Sequence, residues 1–264
     1  MEKKYTIVVA CHKPYWKSDD SIYQYVEAGT ALHTHPISDM LHDNTGRHIS
    51  EKNETFCELT ALYWAWKNLD SDYLGLCHYR RYFAGKPFGP RQARILAGDD
   101  LRSILETTAV VLPRKRRYWI ETNYSQYIHA HHEQDLDTTR EILERVAPEY
   151  LPAFDRSMAQ ISGHRFNMFI MRKDLADAYC GWLFGILFRL EEKLDISGYD
   201  AKDRRVFGYV AERLIDTWLN TNHISYRELP VVNLEKQNWL KKGGMFLVRK
   251  WRGGERLSNK IRES

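Results

Sequence analysis

Cysteine is scarce in this sequence of 264 residues, and none of its four cysteines stands in a CxxC pair. Cys11, Cys57, Cys77 and Cys180 are scattered through apolar segments. Such cysteines are typical of small core residues in a reducing compartment, so the sequence does not favour a disulfide framework.

Long apolar runs are also missing. The longest, Ala178 to Phe188, is shorter than the ~20 residues that a membrane-spanning helix needs. The apolar stretch Ile7 to Ala10 is shorter than the roughly 7 to 15 residues of an export signal. The sequence has no internal repeat, low-complexity region or evident interdomain linker. We therefore expect one globular domain in the cytoplasm.

The basic residues are concentrated at one end of the chain. The net charge is +4, but residues 236–264 hold nine Lys or Arg and two Glu, so residues 1–235 sum to −3. This distribution speaks against a general nucleic-acid-binding surface. The tail also contains Phe246 and Trp251, a mixture that can bind an anionic membrane surface or a partner, or fold loosely over the domain. The predicted organisation is a domain of residues 1–235 and a basic amphipathic extension of residues 236–264.

The order of apolar patterns predicts an α/β protein. Short apolar runs predict buried strands, and apolar residues recurring three and four apart predict helices. The predicted strands are Lys4–Ala10, Tyr73–Cys77, Ala109–Leu112, Phe166–Met171 and Ile224–Val232. Helices are predicted to begin at Ser50 and at Asp99 or Asp100, and to span Asp137–Val146, Lys173–Leu194 and Arg205–Leu219.

Polar and cationic residues follow two of these strands. CHKPYW after the first strand supplies His12, Lys13 and Tyr15, and LGLCHYRRYF supplies His78, Tyr79, Arg80 and Arg81. In open α/β sheets, ligands bind beyond the carboxyl ends of the strands. Arginine binds phosphate through two hydrogen bonds and tyrosine stacks on a base, so the composition suits an aromatic base that carries a diphosphate. The alternative is that the two arginines pair with surface carboxylates.

The loop DNTGRHISEKN lies between these two strands. Asp43 and Asn44 begin a turn, and Ser50 is expected to cap a helix with Lys52 and Asn53 in its first turn. A helix N-terminus beside a lysine attracts phosphate. Ordinary turn and cap chemistry is the alternative interpretation of the same residues.

The run ISEKNETFCELTALYWAWKNL followed by YLGLCHYRRYF resembles the signature of a bacterial family of capsular polysaccharide and exopolysaccharide biosynthesis glycosyltransferases, long described as a domain of unknown function. FNMFIMRK, WLFGILFRLE and RRVFGYVAERLIDTWL extend the resemblance over nearly the whole chain before the tail. His48 departs from it, because we expect the family to carry Asn before Ile-Ser. The resemblance implies a nucleotide-sugar-dependent enzyme with a GT-A-like fold, a single Rossmann-like α/β domain with a mixed, mostly parallel sheet flanked by helices.

The metal motif that such a fold usually carries is not in its expected place. GT-A enzymes hold a divalent metal with Asp-x-Asp directly after a buried strand. Here the triplet at residues 70–72 precedes a strand, and the one at residues 135–137 begins a helix. We therefore hypothesise that Arg80 and Arg81 replace the metal by neutralising the departing nucleoside diphosphate, and we predict no cofactor. The opposing hypothesis is that Asp43 or another carboxylate recruits a divalent metal.

A transferase that inverts configuration also needs a base for the acceptor hydroxyl. Glu212 lies amid apolar residues of a predicted helix, where burial would raise its pKa to a useful value. The alternatives are an ion pair between Glu212 and a neighbouring arginine, Asp43 as the base, or a retaining reaction that needs neither. The histidines of IHAHHEQD lack a further ligand at zinc spacing, so no metal ligands are predicted.

The candidate residues fall into three groups. Those predicted to be catalytic are Glu212, Asp43, His78, Arg80 and Arg81; those predicted to bind the donor are His12, Lys13, Tyr15, Asn44, Lys52, Asn53, Tyr79 and Arg205; and those predicted to bind the acceptor are His164 and Asn167.

The leading hypothesis is a cytoplasmic glycosyltransferase that the basic tail keeps at the inner face of the membrane. It would move galactofuranose or galactopyranose from a uridine diphosphate donor to a lipid-linked or oligosaccharide acceptor of a surface polysaccharide. One rival is a noncatalytic glycan-binding or phosphate-binding protein. Another is a nucleic-acid-binding protein, whose affinity would fall steeply with salt and which would not respond to nucleotide sugars. Nucleic acid is not an expected partner.

Overall fold

The computed structural model describes residues 3–235, and the extension predicted for residues 236–264 lies outside the described residues. The strands are β1 Tyr5–Cys11, β2 Tyr23–Glu27, β3 Leu41–His42, β4 Tyr73–His78, β5 Arg81–Phe83, β6 Val110–Pro113, β7 Arg116–Arg117, β8 Ser162–Gly163, β9 Phe169–Arg172, β10 Arg227–Leu229 and β11 Val231–Asn233. The α-helices are α1 Asn53–Phe56, α2 Leu59–Asn68, α3 Gly98–Leu105, α4 Asn123–Ile128, α5 Glu133–Val146, α6 Leu151–Ala159, α7 Lys173–Lys193 and α8 Val206–Thr221. Short 3-10 helices lie at Thr30–Leu32, Ser50–Lys52, Gln92–Arg94, Pro148–Tyr150 and Asp203–Arg205.

One mixed sheet organises the domain. Its strands run in the order β10-β6-β9-β4-β1-β2-β3, while β5 pairs with β4 and β11 pairs with β5. Along the main order only β9 is antiparallel to its neighbours β4 and β6; the other described pairs are parallel. This confirms the predicted mixed, mostly parallel sheet. A separate two-stranded antiparallel ribbon is formed by β7 and β8.

The hydrophobic core lies on both faces of the sheet. In β1, Val8 and Ala10 pack into one cluster together with residues of α2, α7 and α8, and Ile7 and Val9 pack into another that includes residues of α3. A strand buried on both faces needs a continuous apolar run, which is what TIVVAC provides. Helices therefore flank the sheet on both sides, as predicted, and hold its strand ends in place.

The predicted helix that starts at Ser50 is broken into three parts. A 3-10 turn leads into α1, and Cys57 adopts a positive φ of 54° before α2 begins. The prediction that Ser50 caps the helix was wrong, because its hydroxyl donates a hydrogen bond to Asp43 instead. The break turns the chain so that the start of α1 and the Cys57 region reach the carboxyl ends of the strands.

Two predicted strands are shorter than expected. Only the second half of Phe166–Met171 is extended, because Phe166 and Asn167 have positive φ values of 77° and 52°. The predicted last strand, Ile224–Val232, is split at Pro230 into β10, which pairs with β6, and β11, which pairs with β5. Proline has no backbone N–H to donate, which ends one ladder and lets the chain join another.

No helix among residues 3–235 is both long enough and apolar enough to cross a membrane.

Candidate functional site

A cavity of about 1090 Å³ opens beyond the carboxyl ends of β1 and β4. These two strands are parallel neighbours in register, with Ala10 opposite His78, so both chains leave the sheet at the same level. The predicted residues that line the cavity are His12, Asn53, His78, Tyr79, Arg80, Arg81, Arg205 and Glu212. A ligand site at this edge of the sheet is the position that α/β topology favours.

The cavity is strongly cationic. Its lining contains seven arginines and three glutamates, and no aspartate. The arginines are Arg80, Arg81, Arg116, Arg165, Arg204, Arg205 and Arg213. Residues 1–235 have a net charge of −3, so the positive charge of the cavity lining is opposite in sign to the net charge of the domain. Cations gathered in a low-dielectric cleft attract an anionic ligand.

The two arginines of HYRRYF have different surroundings. The guanidinium of Arg80 forms an ion pair with Glu235 at 3.2 Å, on a surface where both side chains are about two-fifths exposed. Arg81 is partly buried, lies over the Phe166 ring at 4.6 Å, and its guanidinium has no hydrogen bond or ion pair within residues 3–235. Burial and the neighbouring Arg80 lower the pKa of Arg81. Arg81 is therefore a desolvated cation whose hydrogen-bond donors are available to a ligand.

Tyr79 is enclosed by the residues that were predicted to bind with it. Its ring is buried, meets His12 and Tyr15 edge-on at 4.8 and 5.1 Å, and lies 5.5 Å from the Lys13 ammonium. Burial, together with Lys13 and Arg80, lowers the pKa of His12, so its imidazole is neutral at pH 7. These contacts favour a positioning role for Tyr79 and leave the partly exposed Tyr15 as the more accessible aromatic ring.

One face of α8 forms a wall of the cavity. Arg205, Gly208, Tyr209 and Glu212 recur three and four residues apart, and all line the cavity. Arg205 directly precedes the helix, so its guanidinium lies at the positive end of the α8 dipole, an arrangement that suits phosphate. The Glu212 carboxylate is partly exposed and contacts Arg213 at 3.1 Å, the ion pair that was one of the sequence alternatives.

A strained turn closes the cavity between β8 and β9. The carbonyl of Phe166 accepts a 2.6 Å hydrogen bond from Nε2 of His78, which places a proton on that nitrogen because a carbonyl can only accept. The Asn167 amide donates to Glu58 at 2.8 Å and to the Gly208 carbonyl at 3.1 Å. Two consecutive non-glycine residues with positive φ are uncommon, and such strain is found at functional sites. Asn167 is buried beneath the cavity, so its contacts favour support of this turn over direct acceptor contact.

Cys57 contributes a thiol to the lining, 3.1 Å from Nε of Arg205. Burial and the nearby Glu58 raise the pKa of this thiol to about 11. It is therefore protonated at neutral pH and is not poised to act as a nucleophile.

Three predicted residues of the Asp43–Asn53 loop lie outside the cavity lining. Asp43 is fully buried and accepts hydrogen bonds from the backbone N–H groups of Gly29 and Thr30 at 2.8 and 3.0 Å. Its remaining partner is the hydroxyl of Ser50. Lys52 pairs with Glu191 at 2.7 Å, and Asn44 is exposed on the turn. A carboxylate that is fully satisfied in the core is suited to holding the loop, which favours a structural role for Asp43 over catalysis.

His164 is also buried away from the cavity lining. Its two ring nitrogens face carboxylates, Nδ1 with Asp216 at 2.6 Å and Nε2 with Glu228 at 3.0 Å. With both nitrogens engaged, His164 ties α8 to β10. This geometry favours a structural role and does not place the imidazole where an acceptor could contact it.

The residues present do not fit a divalent-metal site of the usual kind. Within residues 3–235, no group of three or more His, Cys, Asp or Glu side chains is arranged to hold a metal ion. Asp72 accepts a hydrogen bond from the backbone of Lys4 at the opposite end of β4, and Asp135 is buried between the hydroxyls of Tyr127 and Tyr199. Neither Asp-x-Asp triplet thus contributes an aspartate to the cavity lining.

Several lining residues were not among the predicted candidates. His131 stacks on Tyr209 with ring centroids 4.2 Å apart and pairs with Asp203 at 2.9 Å. Phe166 and Glu58 line the cavity beside them. Periodicity identifies the apolar face of a helix, but the polar face that meets a cavity is set by packing against distant elements, so the sequence carries little signal for these residues.

The similarity to known proteins agrees with this architecture. No curated protein matches the sequence. Among solved structures, the chain is similar to the apo structure of WbbM, a bifunctional glycosyltransferase, with a TM-score of 0.82 and 29% identity over 88% of this chain. The match confirms the predicted GT-A-like fold class, and this chain covers 46% of WbbM, about half its length. The family model described as a domain of unknown function, DUF4422, matches residues 6–223, and the chain therefore belongs to the DUF4422 family.

Proposed function

We propose that this protein is a glycosyltransferase that uses a nucleoside-diphosphate sugar, with uridine diphosphate as the leaving group. The observation that carries the proposal is the partly buried guanidinium of Arg81, which has no hydrogen bond or ion pair within residues 3–235, in a cavity lined by seven arginines at the carboxyl edge of the sheet. The similarity to WbbM supports a transfer reaction. The expected sugar is galactofuranose or galactopyranose, and the expected acceptor is a lipid-linked or oligosaccharide glycan of a bacterial surface polysaccharide.

The arginines supply the charge that the reaction needs. The acceptor oxygen attacks the anomeric carbon, the bond from that carbon to the diphosphate breaks, and the diphosphate leaves with the electron pair. The negative charge on the leaving group grows in the transition state. Arg81, with Arg80 and Arg205 in the same cavity lining, stabilises that charge through donors that are already in place.

Glu212 is the proposed base for an inverting reaction. It lies seven residues after Arg205, the residue that directly precedes α8, and this spacing corresponds to about 10 Å along the helix axis. A phosphate bound at the start of α8 and the carboxylate of Glu212 are thus separated by space for the transferred sugar. Glu212 would take the proton of the acceptor hydroxyl as the new bond forms.

The first test is binding of uridine diphosphate followed by calorimetry or thermal shift, with and without EDTA. Arg81→Ala should weaken binding about 10- to 100-fold, because a charge-assisted hydrogen-bonded pair is lost. Arg81→Lys should restore only part of it, since lysine lacks the planar fork. Arg145→Ala, at an exposed arginine on α5, is the matched control.

Turnover is tested by release of uridine diphosphate from UDP-galactose in the presence of a bacterial lipid extract. Arg81→Ala and Glu212→Gln should each lower the rate on the order of 10²-fold or more. Binding that EDTA abolishes would contradict the replacement of a metal by arginine. Binding without any turnover over a panel of nucleotide sugars would instead favour a noncatalytic binding protein.

A further inference from the structure

The β7–β8 ribbon carries exposed apolar side chains to which the proposed reaction gives no role. Three large apolar side chains are exposed there, Trp119 at 78%, Ile120 at 61% and Ile161 at 49% of their area. The two segments that carry them are adjacent, because the backbone N–H of Tyr118 donates to the carbonyl of Ile161 at 2.8 Å. Together with the exposed Arg114, Arg116 and Arg117, they form what we term the ribbon patch.

The tip of the ribbon is held outward by strain. Trp119 has a φ of 63°, and the N–H of Ile120 donates to the carbonyl of Tyr118 at 2.7 Å, which closes a three-residue γ-turn around Trp119. A bulky aromatic residue rarely adopts this conformation. Strain of this kind is kept where it serves a function, and here its effect is to present the indole to solvent.

Buried residues on both sides make this presentation rigid. The Tyr118 hydroxyl accepts a 2.9 Å hydrogen bond from Arg165, and buried Glu121 pairs with His129 at 2.7 Å. The two exposed residues between them therefore cannot turn inward without breaking these contacts. Exposure of Trp119 and Ile120 is thus a fixed feature of the fold.

The exposed charged side chains of residues 114–120 have one sign. Within the described part of the chain, Arg114, Arg116 and Arg117 form no ion pair, and the only cation of this segment near a carboxylate is Lys115, 4.0 Å from Asp216. A set of unneutralised guanidiniums beside exposed Trp and Ile complements a surface that is anionic outside and apolar beneath.

We propose that the ribbon patch docks on an anionic lipid bilayer. The aliphatic Ile120 and Ile161 favour a bilayer over a nucleic acid, since they have no stacking face and make no contact with phosphate. Arg116 and Tyr118 of the same ribbon line the cavity, so docking places the cavity mouth at the lipid headgroups. The docking does not depend on the proposed transfer reaction and is independent of the basic tail.

The test is flotation of the full chain with vesicles of phosphatidylcholine, with and without phosphatidylglycerol. Arg117→Ala should weaken binding to the anionic vesicles about fivefold. Trp119→Gly combined with Ile120→Ser should weaken it on the order of tenfold or more. Phe88→Ser, at an aromatic side chain 87% exposed elsewhere, and Arg145→Ala are matched controls that should bind as the parent does.

Three results of the flotation assay would overturn the proposal. The first is that the parent does not bind anionic vesicles. The second is that the ribbon variants bind as strongly as the parent, which would assign binding to another segment. The third is that the control variants lose as much binding as the ribbon variants do. Displacement of the vesicles by a single-stranded oligonucleotide at stoichiometric amounts would also overturn it. Glycine suits the positive φ of residue 119, so the variant with Trp119→Gly and Ile120→Ser should keep the melting temperature of the parent. An unchanged thermal shift of this variant with uridine diphosphate shows that the cavity is intact.

Discussion

The adjacent arginines Arg80 and Arg81 have different environments in this protein. Arg80 is neutralised by Glu235 at the surface, where such a pair contributes on the order of 0–1 kcal/mol, whereas Arg81 is desolvated and unpartnered within residues 3–235. A partly desolvated cation that has no ion pair within residues 3–235 lowers the stability of the domain, and binding an anion offsets that cost. This is why Arg81, and not the pair as a unit, is the more informative position for mutation.

His131 gives a prediction about pH at the scale of one residue. Its side chain is about one-tenth exposed, and burial is the main cause that lowers its pKa to about 4. The unfolded chain, with an ordinary histidine pKa near 6.5, binds the proton more readily, so the contribution of this site to stability is present above pH 6.5 and is lost as the pH falls towards 4. From pH 7.5 to pH 5 the loss should be about 2 kcal/mol.

Denaturant unfolding of the parent and of His131→Phe at these two pH values measures the effect. Phenylalanine keeps a ring on Tyr209 but does not titrate, so the variant should lose less stability on acidification than the parent does. Equal losses in the two proteins would contradict the prediction.

At the scale of elements, the turn between β8 and β9 joins three parts of the cavity wall. His78 at the end of β4 bonds to the carbonyl of Phe166, and Asn167 bonds to Glu58 and to the carbonyl of Gly208 on α8. The Phe166 ring in turn packs against the Arg81 guanidinium. The turn thus couples the position of Arg81 to the packing of α8 against the sheet.

Substitutions of Asn167 separate backbone strain from hydrogen bonding. Asn167→Gly loses the amide but fits the positive φ, and we expect it to lower the free energy of unfolding by about 2 kcal/mol. Asn167→Ala loses the same hydrogen bonds and also strains the backbone, so about 3 kcal/mol is expected. Urea unfolding of both variants gives the comparison; a less stable glycine variant would show that the φ angle is not what asparagine satisfies here.

At the scale of the whole molecule, the charge of the cavity lining is opposite in sign to the net charge of the domain. Residues 1–235 carry a net charge of −3, yet the cavity lining has four more arginines than glutamates. The field that an anionic donor meets is therefore set by the fold, which gathers arginines from separated segments around one opening.

Ionic strength should reveal this field. Raising NaCl from about 0.05 M to about 0.5 M shortens the Debye length to less than half, and we expect the dissociation constant for uridine diphosphate to rise on the order of tenfold. Uridine, which has the same base and sugar without charge, is the control and should bind with little dependence on salt. Titration calorimetry of both ligands checks the prediction, and an identical salt response of the two would contradict it.

The sequence by itself determined the α/β class, the first and central strands, the long helices α7 and α8, and the meeting of CHKPYW with HYRRYF. These features follow from local periodicity and from the rule that parallel strands end at one edge, so they do not require knowledge of distant contacts. The two strands at whose ends these segments lie, β1 and β4, are parallel, adjacent and in register.

Tertiary structure alone decided which charged side chains face the cavity. Asp43 and Arg81 are both charged candidates in the sequence, yet backbone N–H groups and a hydroxyl satisfy Asp43 in the core, while the Arg81 guanidinium lines the cavity without a hydrogen bond or ion pair within residues 3–235. The left-handed turn at Phe166 and the strained Trp119 also have no sequence signature, because neither residue type favours positive φ. Partners that lie far apart in the chain impose these conformations, and only the folded packing specifies where those partners are.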